Sequence, residues 1–289
     1  MSDLGGKSIV ITGAGDGLGA AYARAAAALG AAVVVSDINA ESSERVAAEI
    51  CAKGGRAVAH RCDVRDYAAT EMLIQRCVDE FGAITGLVNN AGIYIAENFV
   101  TSSVEQLRRL VEVNVIGVYN CGRAAVGPML RQGEGSIVNI TSGAQAGHPT
   151  LSSYGATKGA VASFTYGWAL ELRESGIRVN GVSPMASTPM TGHAAFLPPA
   201  DVNSPPVLFF LSDRSRGITG QVMRIIGDSL SLMCHPANIA PVLQRETWSL
   251  DSVADAFDAT LAAKQVPVGV ATYEIGSVHA ENLAIDRPK

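Results

Sequence analysis

The chain has 289 residues, 48% of them hydrophobic and 17% charged, and a net charge of −5. That composition supports a sizeable core, in one large domain or two small ones, and the acidic balance leaves no basic stripe for nucleic acid. The Ala-rich run from Ala20 to Val35 is interrupted by Arg24 and Gly30, so no membrane span is expected.

Lys7 to Thr12 is a short apolar run suited to a strand buried on both faces. It enters Gly13-Ala14-Gly15-Asp16-Gly17-Leu18-Gly19, and an Ala-rich helix follows to Leu29. Strand, glycine turn and helix form a phosphate site, because bare backbone N–H groups and a helix N-terminus face the same pyrophosphate. Thr12, Gly13, Gly17, Leu18 and Gly19 are its candidates. A G-x-G-x-x-A pattern can also be read from Gly15, so the glycines alone name no cofactor family. The next strand, Ala31 to Ser36, ends at Asp37. An acid about twenty residues beyond the glycines is placed for the hydroxyls of an adenosine ribose, and it would repel a 2′-phosphate. Asp16 and Ile38 occupy the nearby positions where a cation would otherwise stand. NAD is therefore expected over NADP; a solvated acid at a strand end is the plain alternative.

A helix over 41–53 closes on Gly54-Gly55, and strand Arg56 to Cys62 leads to Asp63-Val64. Asp66 is placed to cap the next helix, which stops before Gly82. Strand Ile84 to Val88 enters Asn89-Asn90-Ala91-Gly92. This alternation with short loops predicts an α/β fold, a doubly wound parallel sheet of Rossmann type flanked by helices. Ligands in such sheets bind beyond the carboxyl ends of the strands, where Thr12, Asp37, Asp63, Asn89 to Gly92, Ser142 and Ser183-Pro184 fall.

The helix expected over 103–131 contains Asn114 in an otherwise apolar turn. Such an amide needs a partner, since leaving it buried and unpaired costs roughly 1–3 kcal/mol. Strand Ser136 to Thr141 then delivers Ser142, whose hydroxyl can hydrogen-bond a substrate oxygen. Tyr154 and Lys158 stand four apart on a helix whose apolar side carries Val161, Phe164, Trp168 and Leu172, so phenol and ammonium share a face. A free tyrosine titrates near about pH 10. A cation roughly 4 Å away, at an effective dielectric of about 20, favours the phenolate by about 4 kcal/mol, with burial opposing it. Tyr154 is accordingly expected to give or take a proton near neutrality. By itself Y-x-x-x-K reads as an accidental surface pair; the motifs upstream decide against that.

Taken together these residues resemble the short-chain dehydrogenase/reductase family, in its common single-domain form. Its T-G-x-x-x-G-x-G motif is met at Thr12, Gly13, Gly17 and Gly19, its N-N-A-G at Asn89 to Gly92, and its tetrad at Asn114, Ser142, Tyr154 and Lys158. The likeness spans residues 5 to 227. It implies that Asn114 bends its helix and holds a water relaying protons to Lys158. It also implies that Lys158 lowers the tyrosine pKa and grips the nicotinamide ribose. Asp63, Val64, Asn90, Ala91 and Gly92 would join the cofactor site, with Pro184 lining the nicotinamide face and Thr188 binding its carboxamide. Homodimers or homotetramers are implied as well, pairing through helices 103–131 and 152–174.

The chain departs from the family pattern in places. The loop from Ser142 to Tyr154 is one residue shorter than in many relatives, a difference expected to be absorbed around Gly147-His148-Pro149. Pro184-Met185 stands where relatives have Pro-Gly, and Gly227-Asp228 where they have Gly-Gly. The lid segment, Thr188 to Val207, is short and carries Pro189, Pro198, Pro199, Pro205 and Pro206, which predicts a stiff lid and an open pocket. Met190, His193, Phe196 and Leu197 are the candidates to line it; His193 either touches substrate or is a plain surface histidine.

Residues 1–228 are read as the NAD-binding and catalytic domain and 229–289 as an extension packing on the domain or on a partner subunit. A helix from Leu250 to Lys264 is expected there, capped by Ser249 or Asp251, with Val253, Ala256, Phe257, Thr260 and Leu261 as its apolar face. Cys51, Cys62, Cys77, Cys121 and Cys234 show no metal-ligand spacing and read as reduced thiols of a cytoplasmic protein. No basic segment followed by an apolar one opens the chain, so no export signal is expected. The function expected is NAD-dependent interconversion of a hydrophobic secondary alcohol and its ketone, without a metal. The alternatives are an NAD(H)-binding regulator without turnover and a dehydrogenase of 3-hydroxyacyl thioesters.

Overall fold

A computed structural model describes residues 3–192, 194–266 and 268–269. The chain begins with β1 (Ser8–Thr12), α1 (Gly17–Ala28), β2 (Ala32–Asp37), α2 (Ala40–Ala52), β3 (Arg56–Arg61), α3 (Tyr67–Phe81) and β4 (Gly86–Asn89). Each helix starts where the sequence supplies a cap. Asp16 accepts from Gly17 N, Asn39 from Ser42 N, and Asp66 from the amides of Ala68 and Ala69. The second half adds α4 (Val104–Val111), α5 (Gly117–Gln132), β5 (Gly135–Ile140), α6 (Ser152–Glu171), β6 (Ile177–Ser183), α7 (Ser204–Leu211), β7 (Val222–Ile226), β8 (Ser229–Leu232) and α8 (Leu250–Ala256).

The strands form one sheet in the order β3-β2-β1-β4-β5-β6-β7-β8. All neighbours run parallel except β7 and β8. The chain reverses direction across the sheet between β1 and β4, which opens a crevice at their carboxyl ends. Alternate residues of the central strands face opposite layers. Ile9, Ile11, Val33 and Val35 pack with Tyr22, Ala26 and Phe210 on one face. Val10, Val34 and Leu87 pack with Leu73, Cys77, Cys121 and Met129 on the other. Burial on both sides is why these strands read as continuous apolar runs.

Four elements differ from the sequence expectation. The helix expected over 103–131 is interrupted by a π-helical turn, Glu112–Ile116, with Asn114 buried within it. Strand β8 was not foreseen: Gly227, at φ +56°, opens a two-residue hairpin that lays Ser229–Leu232 antiparallel on β7. Pro205 and Pro206 belong to the first turn of α7 and not to a lid loop, a place where proline loses no helical hydrogen bond. The tail helix starts where expected, capped by Ser249 and not Asp251, but passes into a π turn at Phe257–Leu261 and a 3₁₀ turn at Ala262–Lys264. Of its expected apolar face only Ala256 is buried, while Val253 and Phe257 are exposed.

The apolar side of α6 packs in part within the chain, with Phe164 and Trp168 half-buried. Val161 is buried, and the Trp168 ring lies against Gly122 of α5 and stacks on Phe164 with centroids 5.1 Å apart. Among the described residues no helix is long and apolar enough to cross a membrane, no side-chain cluster suits a metal ion, and the five cysteines are free thiols.

Candidate active site

A cleft of about 490 Å³ opens at the carboxyl ends of β1, β4, β5 and β6. Its inner end is a backbone construction. Thr12 Oγ1 accepts from the amides of Asn90 and Ala91 at 3.1 Å, and Asn90 Nδ2 donates to the carbonyls of Thr12 and Gly13 at 2.9 Å. These bonds tie the loop after β1 to the loop after β4. Any side chain on Gly19 would overlap the Gly13 carbonyl oxygen, so the loop can pack this tightly only on a hydrogen. Gly13, Gly17, Leu18, Asn90, Ala91 and Gly92 line the cleft, with Thr12 and Gly19 behind it.

Asp37 also lines the cleft. Its carboxylate accepts from Gly15 N and from Asn39 N, each at 3.0 Å, which aims it along the glycine loop. A cation does reach this loop, from a position the sequence reading passed over: Arg45 on α2 donates Nη2 to the Gly15 carbonyl at 3.0 Å. Asp63 and Val64, expected at the cofactor site, do not line the cleft. Arg65 turns back on Asp63 in a paired contact at 2.6 and 2.9 Å and holds its carboxyl below the usual carboxylate range. Val64 is buried against Gly117, and its carbonyl accepts from Asn120 Nδ2 at 3.0 Å.

At the other end stand Ser142, delivered by β5, and Tyr154 and Lys158 on α6, all lining the cleft. The Ser142 and Tyr154 side chains stand together at this wall of the cleft. Burial pushes the Tyr154 phenol up to about 12; the Ser142 hydroxyl opposes this, and the neighbouring Tyr94 adds to it. Lys158 is buried, donates Nζ to the Ile140 carbonyl at 2.8 Å, and is lowered by burial to about 8. Its Nζ lies 5.8 Å from the Tyr154 ring centroid. The expectation of an acidified phenol is thereby corrected for the protein alone: the phenol is raised, with burial as the largest cause.

Asn114, buried in its π turn, has a satisfied amide. Oδ1 accepts from Ile93 N at 2.8 Å, and Nδ2 donates to Ile93 O at 2.9 Å and to Thr157 Oγ1 at 3.1 Å. It joins the loop after β4 to α6 one residue before Lys158. Pro184, Thr188, Met190, Phe196 and Leu197 line the remaining wall, and His193 lies outside the described residues. Asn203 anchors that wall by exchanging hydrogen bonds with the Met185 backbone at 3.1 and 3.2 Å. Sequence reasoning missed Tyr94, whose ring meets that of Tyr154 edge-on at 5.1 Å. Its position, two residues past Gly92 at a strand end, was the available signal.

Comparison with known proteins agrees with this geometry. The family model described as "short chain dehydrogenase" matches residues 7–195. The 2,5-dichloro-2,5-cyclohexadiene-1,4-diol dehydrogenase LinX of Sphingobium indicum is 37% identical over 241 residues, covering 78% of this chain and 96% of that one. A 3-oxoacyl-[acyl-carrier-protein] reductase of Synechocystis is 34% identical over 254 residues, covering 87% and 98%. The crystal structure of a short chain dehydrogenase from Mycobacterium avium matches with a TM-score of 0.84 at 29% identity, over 93% of this chain and 99% of that chain. Motifs, sheet order and relatives converge, and this chain belongs to the short-chain dehydrogenase/reductase family of oxidoreductases.

Proposed function

We propose that the protein is an NAD-dependent dehydrogenase that interconverts a hydrophobic secondary alcohol and its ketone. The observation that carries this reading is the convergence of Ser142, Tyr154 and Lys158 on one wall of the cleft, with the Lys158 ammonium one helical turn beyond the phenol. The residues at the inner end fit a dinucleotide. A glycine loop with no room for side chains suits a pyrophosphate, and the Asp37 carboxylate suits ribose hydroxyls and disfavours a 2′-phosphate. Gly13, Gly17, Leu18 and Asn90 to Gly92 would hold it, with Thr188 and Pro184 toward the nicotinamide. Such a cofactor supplies the hydride chemistry.

The remaining steps belong to the chain's own side chains. Ser142 orients the substrate oxygen. Tyr154, a neutral phenol at neutral pH with its pKa near 12, is poised to deliver a proton to a ketone oxygen. Accepting one from an alcohol requires further positive charge beside the ring. Lys158 gives part of that charge, held in place by the Ile140 carbonyl. Asn114 keeps α6 registered to the loop after β4, beside which a proton path from Lys158 to solvent would run.

The outer wall of Tyr94, Leu151, Met190, Phe196 and Leu197 favours an apolar substrate. The Synechocystis reductase named above favours a second substrate class, 3-oxoacyl thioesters, on the same catalytic residues. Exposed Val104, Leu107, Ile116 and Tyr119 on α4, the π turn and α5 support pairing of subunits through those helices. The test is Tyr154→Phe: turnover with a panel of secondary alcohols and oxoacyl thioesters should fall about 10²–10⁴-fold while NADH fluorescence on binding is kept. Full activity in that variant ends the proposal. Tighter binding of NADPH than NADH would end the NAD assignment.

A further inference from the structure

The residues past β7 return to the turn that carries Ser142. We propose that Arg224 and the C-terminal extension brace the turn at residues 143–147 from its two sides and thereby set where the Ser142 hydroxyl stands relative to Tyr154. The claim rests on the reading of Ser142 as the group that orients the substrate oxygen.

The turn has little means of holding itself. It is a single 3₁₀ turn, Gly143–Ala146, bounded by Gly147 at φ +108°. The Ser142 hydroxyl caps it by accepting from Ala144 N at 3.2 Å, so Oγ moves when the turn moves. Its Ala144 carbonyl sits against Gly155 so closely that no side chain fits there, and Gly155 directly follows Tyr154. The turn is therefore the spacer between the two hydroxyls.

From the sheet side, the Arg224 guanidinium fills the volume that a side chain on Gly143 would need. It donates Nη1 to Ser183 Oγ at 3.0 Å, on the strand beside β5, and among the described residues no acid forms an ion pair with it. A planar fork with five donors suits a position wedged between two backbone turns, and a lysine has no equivalent. From the outer side, the chain after β8 makes three contacts. Gln145 Nε2 faces Met233 Sδ at 3.6 Å, Gly269 N donates to Ala146 O at 2.8 Å, and Val268 lies against Gly147. The same extension meets α6 through His235, whose ring stands edge-on to Tyr166 at 4.5 Å. Residues far apart in the extension thus converge on one short turn, while the apolar side of α8 stays uncovered. Arg224, Met233 and Gly269 are positioning residues, since none of them lines the cleft.

The experiment compares the full chain with Arg224→Met, Arg224→Lys and Gly269→Pro, the last removing the donor to Ala146. Hydrogen–deuterium exchange is read at the amides of Ala144, Gln145 and Gly147, alongside NADH titration and a split of kcat from KM on the alcohol panel. Arg224→Met and Gly269→Pro should each speed exchange there about tenfold or more, in line with local opening. They should cut kcat about tenfold or more through misplacement of Ser142 and leave NADH affinity within about twofold. Arg224→Lys should fall between Arg224→Met and the parent. Unchanged exchange at these amides in both variants overturns the brace, and faster exchange with unchanged kcat overturns its role in positioning. Should Arg224→Met not fold, Gly269→Pro, outside both core clusters, decides alone. If the parent chain turns over no substrate, the functional reading fails, and the exchange measurement still decides whether the brace exists.

Discussion

The two ends of the cleft are built by different means. The inner end, from Thr12 to Gly92, is locked by backbone: hydroxyl and amide groups of Thr12 and Asn90 bond to main-chain atoms, and a glycine stands where no side chain fits. The outer end is walled by side chains with room around them, Met190 being 49% and Phe196 86% exposed. A wall held by backbone cannot yield, so it suits a ligand that never varies. A wall of loosely packed apolar side chains can be rebuilt one residue at a time, which suits the part that selects a substrate.

Substitutions at the two ends should therefore differ in kind. Gly19→Ala is expected to have the largest effect, forcing the Gly13 carbonyl aside at a cost of about 1–3 kcal/mol and abolishing measurable NADH binding. NADH binding at parental affinity in that variant would break the comparison. Asn114→Ala, where the two ends meet, leaves the Ile93 backbone and Thr157 without partners and should lower stability by about 1–3 kcal/mol in denaturant melts. A neutral result there would mean that water replaces the amide.

A smaller effect concerns Lys158. Burial lowers its pKa from the usual 10.5 to about 8. Between those values the unfolded chain holds a proton that the folded protein has released, so Lys158 contributes stability that rises with pH. The buried Cys62, Cys77 and Cys121 thiols, which stay protonated in the fold and ionise when unfolded, contribute in the opposite direction. Above about pH 10 the raised Tyr154, neutral in the fold but ionising when unfolded, tilts the slope the other way. Lys158→Met should remove the Lys158 contribution, seen as a lower slope of unfolding free energy against pH than in the parent between pH 8 and 10. Phe196→Ala should do least: a shift in KM among apolar alcohols of about tenfold or less, with NADH affinity unchanged. A loss of cofactor binding there would show that the ends are not independent.

The alternation of apolar runs with glycine and asparagine turns was enough to predict β1 to β5, because strands packed between two layers leave a clear sequence record. The family motifs at Thr12–Gly19, Asn89–Gly92 and the tetrad are local or single-residue signals, and they were legible for that reason. Strand β8 escaped because an edge strand exposed on both faces has no apolar alternation to announce it. The pairing of Asp63 with Arg65 was not legible either, since a contact between side chains two residues apart leaves no periodic pattern.

What the sequence by itself determined is which residues are available for chemistry and at which strand ends they emerge, since both follow from local pattern. Only the tertiary structure decided the protonation state of that chemistry and the support behind it. The shift of Tyr154 depends on how much water its neighbours displace, and the wedge of Arg224 against Gly143 joins positions on separate strands that no local pattern connects.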